Sequence, residues 1–140
     1  MILRGKSIVE GEVEGPLVYS HEPITFFGGV NPESGKIVEE GHPLKGVEIS
    51  GKILILPRGK GSTVGAYVIY YMKKKGTAPL GFVLGRFDTI IVSGCIISEI
   101  PLLILEDGEF EKTSDDVTFG VIRHNELEIY DKNLKLSRRP

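Results

Sequence analysis

The stretch that most constrains this chain is an apolar run that meets a proline and a glycine-rich turn, Lys52-Ile53-Leu54-Ile55-Leu56-Pro57-Arg58-Gly59-Lys60-Gly61-Ser62-Thr63-Val64-Gly65-Ala66-Tyr67. Uninterrupted β-formers over 53–56 read as a strand buried on both faces; Pro57 stops it, and the glycines lead into a helix predicted over 63–75. The first N–H groups of a helix lack intrahelical partners, and the summed peptide dipole places roughly half a positive charge there, so anions settle at such a junction. Arg58 and Lys60 add two full charges. Gly59 and Gly61 let the backbone approach a ligand closely. Ser62 stands where a hydroxyl would meet a bound anion and its reacting carbon. It reads equally well as a helix cap, worth about 1 kcal/mol, and one serine can do both jobs. A nucleotide-binding P-loop fits poorly, because Leu54 replaces the first glycine of G-x-x-x-x-G-K-[ST] and Gly61 replaces the final Ser/Thr.

At 140 residues and 41% hydrophobic, the chain can bury a core of its own and is expected to form one domain over 1–140. A net charge of −2 gives no basic field for nucleic acid, and the basic segment 132–139 reads as a solvated terminus. No window is long and apolar enough for a membrane span, and the start does not read as a signal peptide, so a soluble, cytoplasmic protein is expected. Cys95 is the only cysteine. It excludes an internal disulfide framework, reads as a packed small side chain, and cannot alone hold an iron–sulfur cluster.

Residues 2–20 alternate weakly and predict two β-segments separated at Gly15-Pro16. The turn-rich stretch 21–51 predicts loops around short strands such as 36–39; a long ordered loop in a compact domain is commonly functional. His42 is the side chain to watch there, with a structural role beside Pro43 as the other reading. The helix over 63–75 is apolar on nearly every side, so it is either sandwiched in its own domain or partly covered by another chain. Beyond it come a buried strand over 80–84, a stretch read as a short strand to 92 and a helical turn or two to 99, a strand over 102–105, and a return to β with turns at Gly108, Gly120 and His124-Asn125. Strands alternating with helices in the middle imply parallel pairing. A β-rich start and finish around that piece predicts an α/β fold of three layers, two of sheet and one of helix.

Five spaced segments, 29–37, 42–46, 51–57, 59–63 and 98–102, together resemble the swivel domain of the aconitase X family, and the likeness runs nearly end to end. More narrowly they resemble the small subunits of archaeal hydro-lyases that dehydrate mevalonate 5-phosphate to trans-anhydromevalonate 5-phosphate on a route to isoprenoids. The resemblance implies a swivelling β/β/α domain that pairs with a larger, separate subunit. That subunit would hold a 4Fe-4S cluster whose iron acts as Lewis acid on the leaving oxygen. No cofactor or metal ligand is expected in this chain. The serine of the Gly-Lys-Gly-Ser motif is the proton acceptor in that family, and Ser62 occupies the matching position. Lys60 stands where many relatives carry arginine, and lysine lacks the bidentate fork. Ser62 is therefore the candidate catalytic residue, and Arg58, Gly59, Lys60, Gly61, Thr63 and His42 are the candidate substrate-binding positions. The alternatives are the small subunit of a hydroxyproline dehydratase, a non-catalytic anion-binding swivel module, and a phosphohistidine swivel domain, which the serine in place of a histidine disfavours.

Overall fold

The computed structural model of the protein describes residues 1–131; the basic segment noted above lies outside them. The chain begins with β1 (Ile2–Val9) and β2 (Val13–Tyr19). A long loop follows with three two-residue strands, β3 (Ile24–Thr25), β4 (Val30–Asn31) and β5 (Lys36–Ile37). Then come β6 (Ile53–Leu56), β7 (Gly59–Lys60), α1 (Gly65–Lys75), β8 (Gly81–Leu84), α2 (Thr89–Ser98), β9 (Leu102–Leu105), β10 (Val117–Arg123) and β11 (Glu126–Asp131).

Seven strands close into a barrel in the order β1-β11-β10-β2-β6-β8-β9. Strands β2, β6, β8 and β9 run parallel, as the central alternation of strand and helix implies, and the remainder are antiparallel. In place of the expected three layers with two separate sheets, these strands form one closed barrel with the helices outside it, because β1 and β2 each change neighbours along their length. Ile2–Arg4 pair with β11 and Gly5–Val9 with β9; Val13–Pro16 pair with β10 and Leu17–Tyr19 with β6. At the first handover a Cβ on Gly5 would stand 2.2 Å from the carbonyl oxygen of Ile104, so only glycine lets β9 close on β1. The second handover corrects the placement of the break: the chain turns at 10–12, and Gly15-Pro16 lie inside β2. Proline, which cannot donate to a ladder, is tolerated where the strand changes neighbours.

Side chains on the two faces of β6, β8 and β9 enter two cores. Ile53, Ile55, Val83 and Leu103 point into the barrel with Leu3, Leu17, Ile122 and Leu127. Leu54, Leu56, Phe82, Leu84 and Leu102 point outward, under the helices and the long loop, with Ile69, Met72, Ile91 and Cys95. Burial on both faces explains the uninterrupted apolar runs. Helix α1 starts at Gly65, two residues later than predicted, and stops at Gly76 with φ 84° behind Lys73, Lys74 and Lys75. The stretch read as strand plus helical turn is all helix, α2, opened by Asp88, whose Oδ2 accepts the Ile91 N–H at 2.9 Å. With apolar residues all round it, α2 has no amphipathic period to read, and the Asp88 cap was the overlooked signal. The helices cross closely at Gly94, where a Cβ would lie 2.9 Å from Ile69 Cδ1 and 3.2 Å from the carbonyl oxygen of Ala66.

Candidate active site

The turn between β6 and α1 is gripped from two sides. On one side β7 pairs in parallel with β3, Ile24 opposite Gly59 and Thr25 opposite Lys60. On the other, the start of α2 packs so closely that a Cβ on Gly59 would stand 2.7 Å from Asp88 Oδ2 and 3.0 Å from Ile91. Gly61 has φ +88°, the left-handed region that favours glycine, and lies against the Thr25 methyl. Gly65, the first residue of α1, is wedged between Ile90 and Phe26. The turn is thus built from three segments remote in sequence, which a rigid site requires.

Ser62 is exposed at its crest. Its Oγ accepts the Val64 N–H at 3.1 Å, and its carbonyl accepts the Gly65 N–H at 2.9 Å. The hydroxyl therefore does part of a cap's work while opening to solvent. No acidic residue occupies the first turn of α1, so nothing in that turn offsets the positive end of the helix.

The predicted substrate-binding residues divide. Lys60 Nζ pairs with Glu39 Oε2 at 2.8 Å, and Glu39 Oε1 accepts the Thr25 N–H at 2.9 Å, so one carboxylate ties the lysine to the strand opposite it. Burial of Glu39 pushes its carboxyl up, but the hydrogen bonds from Lys60 and from Thr25 outweigh this and leave it below the ordinary value. Arg58 donates from Nη1 to the carbonyl of Gly59 at 2.9 Å and lines a crevice of about 380 Å³ with His21 and Arg86. Thr63 instead borders a groove of about 350 Å³ between α1 and α2, floored by Ala66 and Ile90 and rimmed by Tyr67 and Ile97. The two full charges expected around Ser62 are therefore committed elsewhere, one to Glu39 and one to the crevice.

His42 is 6% exposed. Its Nδ1 accepts the Leu44 N–H at 3.0 Å and its Nε2 lies 3.1 Å from the carbonyl of Pro23, which fixes Nε2–H as the donor. Both nitrogens are engaged within the long loop, so His42 braces that loop. Asn31 through Gly35 lie at the opposite end of α1 from Ser62: Thr77 Oγ1 donates to the Pro32 carbonyl at 2.7 Å, and Lys75 Nζ reaches Glu33 at 3.0 Å. That helix is about 16 Å long, so the turn-rich motif secures its far end.

The donor set does not suit an iron–sulfur cluster. Cys95 is buried, and burial pushes its thiol up, away from the thiolate a cluster needs. No three His, Cys, Asp or Glu side chains gather as a metal site among the described residues. Sequence reasoning passed over Glu39, Thr25 and Asp88, which hold the turn, and also His21 and Arg86. One signal was present: Arg86 follows Leu84 at the same offset as Arg58 follows Leu56.

A barrel with parallel strands under two helices and a glycine-bounded serine turn at a helix N-terminus defines a swivel domain, and the chain belongs to the Aconitase X swivel domain family, whose description matches residues 2–133. It is 44% identical over 131 residues to the phosphomevalonate dehydratase small subunit of Thermococcus gammatolerans, covering 94% of this chain and 99% of that one. It is 43% identical over 134 residues to the protein of the same name from Methanosarcina acetivorans, covering 95% and 91%. The crystal structure of Thermococcus kodakaraensis aconitase X in its holo-form is similar at 40% identity and a TM-score of 0.85, covering 94% of this chain and 99% of that chain.

Proposed function

We propose that this chain is the small subunit of a two-subunit hydro-lyase that dehydrates mevalonate 5-phosphate to trans-anhydromevalonate 5-phosphate, with Ser62 accepting the proton. The observation that carries the reading is the 44% identity, nearly end to end in both chains, with a relative named as such a small subunit. In the reaction a C–H bond beside the hydroxyl-bearing carbon breaks, its proton passes to the Ser62 alkoxide and its electron pair forms the double bond. The hydroxyl departs as hydroxide and takes a proton from solvent to become water, and Ser62 returns its own proton to solvent, so one water is lost overall. Serine is a feeble base in bulk water. At this turn its alkoxide would be stabilised by the Val64 N–H and the positive end of α1, both fixed before substrate arrives. Departure of the hydroxyl falls to the larger subunit, as does any iron–sulfur cluster, since this chain's residues do not suit one.

The α1–α2 groove fits a role in pairing. It begins at Thr63, next to Ser62, so a partner that closes over the serine also covers the groove, excluding water from the reaction.

The test is Ser62→Ala in the reconstituted pair. Loss of a general base should lower turnover by about 10²- to 10⁴-fold. Loss of a partial cap should lower stability by only about 1 kcal/mol. Near-wild-type turnover with the subunits still associated would refute the assignment of the base.

A further inference from the structure

We propose that the crevice at the carboxyl ends of β2, β6 and β8 is a binding site for a phosphate monoester dianion, gripped by Arg58, Arg86 and His21. Under the dehydratase reading, on which the ligand's identity rests, this is the substrate's 5-phosphate.

The register continues past the strand ends. The Gly85 N–H donates to the Leu56 carbonyl at 3.0 Å and the Arg86 N–H to the Pro57 carbonyl at 3.1 Å, which sets Arg86 beside Arg58. The Ser20 N–H donates to the Ile55 carbonyl at 2.8 Å and brings His21 to the same edge. Parallel strands collect ligands outside their carboxyl ends, in barrels as in open sheets. Phe110 forms one wall and is itself stacked on Tyr19 with ring centroids 5.8 Å apart. A Cβ on Gly85 would stand 3.1 Å from the Phe110 ring, so the wall lies directly on the strand end.

Neither arginine at this edge forms an ion pair with a described residue. Six described cations, Arg4, Lys45, Lys60, Lys75, Lys112 and Arg123, are each paired with a glutamate, whereas Arg58 and Arg86, like several surface lysines, are not, but these two share one crevice. Among the described residues, no carboxylate lies within ion-pair distance of Arg58 or Arg86; Glu111 is the one acidic residue lining the crevice. With both arginines lining one crevice, a dianion with three acceptor oxygens can accept from both forks. The crevice is also within reach of the base. Arg58 and Ser62 are four residues apart, at most about 14 Å of chain, a span that the two side chains and a phosphate ester with a five-carbon main chain can cover between them.

Two measurements test the site. In the reconstituted pair, Arg86→Gln should raise KM for mevalonate 5-phosphate and the inhibition constant of inorganic phosphate by about tenfold or more, since a charge-assisted fork is lost. Glu111→Gln, which removes a like charge, should lower both. Independently, the full chain alone is titrated with inorganic phosphate against chloride at constant ionic strength, followed by amide NMR. Saturable shifts at His21, Arg58 and Arg86 that vanish in Arg86→Gln are expected. Wild-type constants in Arg86→Gln overturn the assignment while leaving the dehydratase reading intact. If the wild-type pair fails to dehydrate mevalonate 5-phosphate, the dehydratase reading falls, and the titration alone then decides the crevice: phosphate shifts indistinguishable from those of chloride overturn it.

Discussion

Glu39 shows how one side chain outside the reactive motif governs what the motif presents. Its two oxygens engage the backbone of Thr25 and the ammonium of Lys60, residues that already face each other across the β3–β7 pair. Removing its charge frees Lys60 and loosens the turn. The sign of the pH effect follows from the direction of its shift. A carboxyl held below its ordinary value of 4.5 stabilises the fold fully above that value and loses the contribution as pH falls through the depressed one. Glu39→Gln should therefore lower the unfolding free energy near neutral pH, with the difference from wild type shrinking below about pH 4.5; urea titrations at several pH values measure this. Glu33, Glu40 and Glu109 shift in the same direction, so the stability of the Glu39→Gln variant should itself still fall in acid.

At the scale of elements, the contact between α1 and α2 fixes where the Ser62 turn sits, because α2 supplies Asp88 and Ile91 behind Gly59 and Ile90 behind Gly65. The two helices can be this close only because position 94 lacks a side chain. Gly94→Val should cost about 1–3 kcal/mol through overpacking against Ile69 and Ala66, more than the few tenths that a better helix former returns. Chemical denaturation reads this directly; an unchanged midpoint would mean that the helices separate freely. The same pair shows why legibility varied. The run over 53–56 and its glycine turn were legible because a strand buried on both faces and a sharp stop leave a strong local signature. Helix α2 was misread because uniform apolarity erases the period that separates helix from strand. His42 and Lys60 were singled out for their chemistry. Their partners, Pro23 and Glu39, come from elsewhere in the long loop and carry no local signature.

For the whole molecule, the face bearing the Ser62 turn also exposes apolar side chains. Tyr67 is 68% exposed and Ile97 47%, and both line the groove that starts at Thr63. Aromatic residues on such a patch are those that dominate association energies. Tyr67→Glu should weaken binding to the larger subunit by about tenfold or more while moving the chain's own stability by no more than about 0.5 kcal/mol. Calorimetry of the isolated subunits separates the two effects, and wild-type affinity in the variant would place the interface elsewhere. No helix among the described residues is long and apolar enough to cross a membrane.

By itself the sequence determined the local grammar: a strand buried on both faces, a glycine-relieved turn carrying a serine, a helix behind it, parallel strands in the middle, and the motifs that mark the aconitase X swivel family. The tertiary structure decided the closure of two expected layers into one barrel, the pairing of Lys60 with Glu39, the bracing of His42, and the meeting of Arg58 with Arg86 and His21. The division has a physical cause. Periodicity, proline and glycine act within a few residues, so they are written locally. A charge acts on whatever the fold brings within a few ångströms, and here those neighbours are drawn from strand ends up to 65 positions apart, His21 to Arg86.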